Sequence, residues 1–132
     1  MHLLFDTHPL LWALAGNDQF SSRAEAAARA AGTTVYVSEV SLREIAERSA
    51  AGQLHLPEGW LEGRREMLQA LGFVLLPQTA AHRHVARRLR AAGGDGYDQL
   101  LGAQVLELAT RGEAAILARD AIFEQYGIRR IW

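Results

Sequence analysis

Five short apolar runs punctuate this chain, at residues 2–5, 33–37, 73–76, 114–117 and 128–131, and helical segments separate each from the next. Strands joined through helices need crossover connections, and crossovers build a parallel sheet covered on both faces. The runs do not alternate apolar with polar residues, which is the pattern of strands buried on two sides. The expected fold class is therefore α/β: a three-layer α/β/α arrangement around a central, mostly parallel sheet of about five strands. At 132 residues the chain is expected to form one domain, 1–132, with a sizeable core.

Between the runs, local signals mark the helices. Pro9 falls in the first turn of a helix reaching Ala15, where its missing N–H does no harm. Ser21 or Ser22 caps a second helix ending at Gly32, and Ser38 caps a third that reaches about Ala51 and closes at Gly52. Further helices are expected over about 57–70, 79–92, 96–111 and 121–126. The glycines are scattered, apart from Gly93-Gly94-Asp95-Gly96, where the backbone must turn sharply or approach something closely.

Acids sit at the ends of these strands. Asp6 follows the first run, Asp120 follows the fourth, and Asp98 opens the stretch Leu100 to Leu108. Glu44 lies one or two helical turns beyond the second run. In an open parallel sheet, strand ends and helix starts share the edge where ligands bind. Four carboxylates there would repel one another unless a hard divalent cation joined them. Each also has an ordinary explanation. Asp6, Asp95 and Asp120 can cap helices, and Asp98 suits a helix dipole. Ser41-Leu42-Arg43-Glu44 matches a capping box, and Glu44 and Arg48 are spaced for a helical ion pair. The case for a site is joint, since every acid falls on one expected edge. Asp18, the remaining aspartate, reads as a turn residue.

The net charge of −1 gives nucleic-acid binding no global support, so any phosphate contact must be local. All 14 cationic side chains are arginine, which forks onto phosphate oxygens, although a compositional bias explains this equally. Arg83, Arg87 and Arg90 recur at helical spacing, opposite an expected buried stripe of Ala81, Val85, Leu89 and Ala92. A solvated surface face is the plain reading of that helix. Arg43 and Arg119 adjoin the acids and are alternative phosphate contacts. The five histidines show no tight ligand spacing. Cysteine is absent, which excludes thiolate sites and suits a reducing cytoplasm. No secretory signal is evident, and no apolar stretch approaches the roughly 20 residues of a membrane span.

The chain resembles PIN domains along essentially its whole length, in particular the VapC-type toxins of bacterial toxin–antitoxin pairs. Four segments carry the resemblance: residues 4–13 (Leu4-Phe5-Asp6-Thr7 onward), Val37 to Ile45, Asp95 to Gln104, and Ala118-Arg119-Asp120, with Tyr126-Gly127-Ile128 to Trp132 similar to the family's last strand. The resemblance implies a PIN-like fold and a Mg²⁺- or Mn²⁺-dependent endoribonuclease whose acids are Asp6, Glu44, Asp98 and Asp120, with Asp95 auxiliary and Thr7 supporting a ligand or contacting substrate. It also implies an RNA substrate, a cognate antitoxin that covers the cleft and a homodimer. The third segment departs from the family pattern. Gly93 or Gly94 stands where a histidine is usual, Gly96 where a proline is, and Gln99 where an arginine is. Arg43 replaces a frequent tryptophan and Ala118 a frequent threonine.

Rival readings fare worse. A phosphoacceptor receiver domain needs a lysine near its last strand, and this chain has none. A haloacid-type phosphotransferase wants a second aspartate where His8 stands. A non-catalytic PIN-like module that binds RNA or protein, and a nuclease acting on DNA, are the remaining alternatives.

Overall fold

A computed structural model describes residues 1–16 and 19–132; Asp18 lies outside the described residues. The five runs form strands β1 (His2–Phe5), β2 (Thr34–Ser38), β3 (Val74–Leu76), β4 (Ala114–Leu117) and β5 (Arg130–Ile131). All neighbours pair in parallel, in the order β3-β2-β1-β4-β5. The sheet is thus wholly parallel. β1 is central: Phe5 stands beside Val37 on one side and Leu117 on the other. Successive side chains of a strand point to opposite faces. Leu4, Tyr36 and Ile116 accordingly join one core cluster, and Leu3, Phe5, Val37, Ala115 and Leu117 join a second. Fully burying such side chains contributes roughly 1.5–3 kcal/mol each.

Seven α-helices are seen among the described residues: α1 (Thr7–Ala15), α2 (Ser22–Arg29), α3 (Glu39–Ala50), α4 (Trp60–Ala70), α5 (Ala80–Leu89), α6 (Gly96–Ala109) and α7 (Ile122–Gln125). The first core cluster receives Leu101, Val105 and Leu108 of α6 and Phe123 of α7; the second receives Leu10 of α1, Ala24 of α2 and Leu68 of α4. Helices therefore cover both faces of the sheet. α3 feeds both clusters, through Val40 on one side and through Leu42 and Ile45 on the other. No helix among the described residues is long and apolar enough to cross a membrane.

Several local expectations need correction. Of the two serines expected at the start of α2 it is Ser21 that caps, but the helix ends at Arg29 rather than Gly32. Ser38 caps α3 by accepting from the Val40 N–H, so Ser41 lies inside the helix and forms no capping box with Glu44. α4 begins at Trp60, after Gly59 in the left-handed region, not near Pro57. The 79–92 segment is α5 followed by a 3-10 turn over Arg90–Ala92. Its buried residues are His82 and Ala86, flanked by half-buried Val85 and Leu89, while Ala81 and Ala92 are exposed. The stripe is rotated because His82 completes a capping box, its Nδ1 accepting the Thr79 N–H at 3.0 Å. His84 is exposed, so the two histidines do point apart.

Candidate active site

The chain runs outward from β1 to β2 and β3, then returns to the other side of β1 with β4 and β5. The strand order reverses between β1 and β4, and ligands bind beyond the carboxyl ends of strands at such a point. A cleft of about 560 Å³ opens there, lined by Asp6, Glu44, Asp95, Asp98 and Asp120 together with His8, Trp12, Arg48 and Arg119. Four separate elements thus bring the expected acids into one cavity.

Asp6 leaves β1 with its N–H bonded to the Leu117 carbonyl across the reversal, at 3.0 Å. Its Oδ1 accepts the Thr7 N–H at 2.8 Å and caps α1. It is only 8% exposed, and burial pushes its pKa up to about 7. The Thr7 N–H opposes that rise, while Asp98, Glu44 and Asp120 add to it. Glu44 is also buried. The Thr7 hydroxyl lies 2.6 Å from its Oε1 and 3.1 Å from Ser41 Oγ, and Arg48 pairs with its other oxygen. A threonine has one hydroxyl proton, so Thr7 donates it to the carboxylate and Ser41 continues the chain.

Asp98 and Asp95 hold each other. Asp95 Oδ1 accepts the Asp98 N–H at 2.9 Å, and Asp98 Oδ2 accepts the Asp95 N–H at 3.0 Å, a reciprocal cap on α6. The Asp98 carboxyl is raised to about 6, by burial first, then by Asp95 and Asp120, against the Asp95 N–H that lowers it. Asp120 is exposed after β4, and its Oδ1 accepts the Ile122 N–H at 2.9 Å. Asp6 and Asp95 therefore cap helices and line the cleft at once, while Asp120 lines the cleft from just before the cap position of α7, Ala121. A strand end that becomes a helix start sets both at one place.

The cationic residues divide. Arg119 lines the cleft, its guanidinium 5.8 Å above the centre of the Trp12 ring. Arg43 lies outside the lining: it donates to Gln78 at 2.7 Å and stacks over Tyr97. Arg83, Arg87 and Arg90 are exposed on α5 and the turn after it, away from the lining. His8, Trp12 and Arg48 were not singled out as cleft residues from sequence. Arg48 could have been found from its place one helical turn after Glu44, and His8 from its place two residues after Asp6.

A family model described as PIN domain matches residues 3–128. The chain belongs to the PIN domain family. Three solved structures share this PIN fold at low identity. VapBC2 from Rickettsia felis, bound to a DNA fragment from their promoter, matches at 14% identity over 98% of this chain and 97% of that one, with a TM-score of 0.69. FitAB bound to the IR36 DNA fragment matches at 17% identity over 97% and 92%, with a TM-score of 0.65. FitAcB from Neisseria gonorrhoeae matches at 17% identity over 97% and 95%, with a TM-score of 0.63. Comparison with curated proteins gives no match.

The donor chemistry of this PIN domain suits a hard divalent cation, since every acidic group in the cleft offers carboxylate oxygen. Asp6 and Asp98 are raised chiefly by burial and further by their acidic neighbours, and a dication would favour their charged forms. Among the described residues no three acidic or histidine side chains are already grouped as a metal-ion site.

Proposed function

We propose that this protein is a metal-dependent endoribonuclease toxin of the VapC type, using Mg²⁺ or Mn²⁺ and restrained by a cognate antitoxin. The observation that carries the reading is the gathering of Asp6, Glu44, Asp98 and Asp120 in one cleft at the reversal of a parallel sheet. Asp6 and Asp98 would hold the cation, with Glu44 and Asp120 completing its surroundings and Asp95 auxiliary. Bound there, a divalent cation would polarise the scissile phosphate and make hydroxide available near neutral pH. The protein's own part is to orient and to exclude. Thr7 fixes the Glu44 oxygen that faces it, Arg48 balances the buried charge, and the cap fixes one oxygen each of Asp95 and Asp98. In-line attack by water forms one P–O bond and breaks another, leaving a 5′-phosphate and a 3′-hydroxyl. Arg119, in the cleft lining, would contact a phosphate there; Arg43, Arg83, Arg87 and Arg90 would contact RNA farther out.

The likeness to VapC toxins supports an antitoxin partner, as does the fold shared with VapBC2 and FitAB. A groove of about 680 Å³ beside the cleft, with Leu11, Leu14, Leu56, Trp60 and Met67 in its walls, is apolar enough to seat a partner segment. His8 and Trp12 line both groove and cleft, so an occupant of one would border the other. A single-domain homodimer acting in the cytoplasm completes the proposal.

The test is RNA cleavage by purified protein with Mg²⁺ or Mn²⁺ on a panel of tRNA, rRNA and mRNA, beside DNA, EDTA and Asp98→Asn controls. Cleavage of RNA alone, lost in both controls, is expected. Equal cleavage of DNA would redirect the substrate assignment. RNA binding without cleavage or metal uptake would favour a non-catalytic binding module.

A further inference from the structure

The geometry points to Tyr126, acting with Gln99, as the residue that positions Asp98. The claim rests on the nuclease reading and deepens it by naming what holds one half of the acidic site in place.

Tyr126 follows α7 and is 6% exposed. Its hydroxyl donates to the Gly93 carbonyl at 2.7 Å. Gln99, also buried, directs its amide to the same carbonyl at 3.3 Å and to the Gly94 carbonyl at 3.1 Å. Two side chains from different parts of the chain therefore fasten the two peptides that precede Asp95. The Asp95 N–H belongs to the second of these peptides, the one that carries the Gly94 carbonyl, and it bonds Asp98 Oδ2. A displacement of the Gly93-Gly94 backbone passes directly to the Asp98 carboxylate through that bond.

The slot for Tyr126 is cut by two glycines. A Cβ on Gly102, one turn after Asp98 on α6, would come within 2.7 Å of the Tyr126 ring. A Cβ on Gly94 would come within 2.2 Å of its hydroxyl, and Gly94 holds a φ of +79°, a conformation other residues resist. Gly96 shows neither requirement. The glycine cluster thus lets a phenol reach the loop rather than making the loop loose. Both of the bonds that the Gln99 amide makes go to these loop carbonyls.

The Tyr126 hydroxyl keeps the role of donor in that contact. Burial, then Asp98, Asp95 and Asp120, push its pKa up to about 12, so the phenol keeps its proton and remains a hydrogen-bond donor at neutral pH.

The test combines two measurements on wild type, Tyr126→Phe, Gln99→Met and Asp98→Asn. Calorimetry with Mn²⁺ reads the site; amide hydrogen exchange at Asp95 and Asp98 in EDTA reads the loop without metal. Tyr126→Phe retains the ring and removes only the hydroxyl. The expected result is Mn²⁺ affinity weakened about tenfold, the usual scale for losing a group that orients a ligand, and exchange at both amides accelerated about tenfold or more, at a melting temperature close to wild type. Gln99→Met should act in the same direction. Wild-type affinity and exchange in both variants would overturn the proposal. If wild type binds no Mn²⁺, or Asp98→Asn binds it equally, the metal reading fails. The exchange data still decide whether Tyr126 orders Asp98: faster exchange supports the positioning role, and unchanged exchange sinks it.

Discussion

The wall of the cleft made by Asp6 and Glu44 is buried, with Glu44 braced by side chains and Asp6 by the Thr7 N–H, whereas the wall made by Asp95, Asp98 and Asp120 is more open and braced by backbone N–H groups. On the first wall, the Thr7 hydroxyl and Arg48 compensate the buried Glu44 carboxylate, while Asp6 has no side-chain partner of opposite charge among those bonds. On the second, the acids use the free N–H groups at helix starts, which cost little to supply because a helix end leaves them unpaired anyway. The difference separates two tasks. The buried wall carries an electrostatic cost that stability measurements can read. The open wall carries a geometric demand that ligand binding can read.

The sharpest way to break this comparison is to neutralise one acid on each wall. Asp6→Asn and Asp98→Asn are both expected to reduce Mg²⁺-dependent cleavage roughly 100-fold or more, since losing even a group that only orients a metal ligand costs about 10–100-fold. Their stabilities should diverge. The rise of Asp6 from 3.8 to about 7 corresponds to on the order of 4 kcal/mol held against folding when the group is charged. Asp6→Asn should therefore raise the urea midpoint of metal-free protein at pH 8, and Asp98→Asn should raise it less. Equal midpoints would mean that the two walls do not differ in the way described.

The pH dependence sharpens the same point. Between about pH 4 and 7 the folded protein retains a proton on Asp6 that the unfolded chain has lost. Stability contributed by this group is therefore greatest at the acid end and falls as pH rises through the window, levelling above about 7. Urea titrations of wild type in EDTA should show that fall, Asp6→Asn should flatten it, and saturating Mn²⁺ should reverse it near pH 7. A smaller effect is expected from Thr7→Val, which removes the donor to buried Glu44 while nearly conserving volume. It should cost about 1–3 kcal/mol, the scale for stranding a buried polar group. A loss within error in denaturant unfolding would show that Arg48 alone suffices.

The strands were readable because burial on both faces leaves a run with no polar interruption, as in Leu3-Leu4-Phe5 and Ala115-Ile116-Leu117. The acids were readable because a strand end followed by a cap signal is a local pattern. What escaped was decided by packing between distant segments. The motif at Ser41-Leu42-Arg43-Glu44 matched a helix start, but Ser38 had already begun α3, and Ser41 became a buried partner of Thr7. On α5 a histidine took a buried position that an apolar pattern assigns elsewhere, because His82 serves as an acceptor for the Thr79 N–H. Trp12 and Tyr126 come near the acids only once α1 and the segment after α7 have docked, and no spacing along the chain records that.

The central place of β1 has a bearing on how the protein is made. Its partners are β2, about thirty residues on, and β4, more than a hundred residues on. While the chain is being synthesised, β1 can pair with β2 early, but its other edge stays open until residues 114–117 have left the ribosome. Asp120 emerges later still, and Tyr126 after that. A growing chain thus holds Asp6 and Glu44 without the opposite end of the cleft, and the acidic site is assembled only after Asp98 and Asp120 have followed.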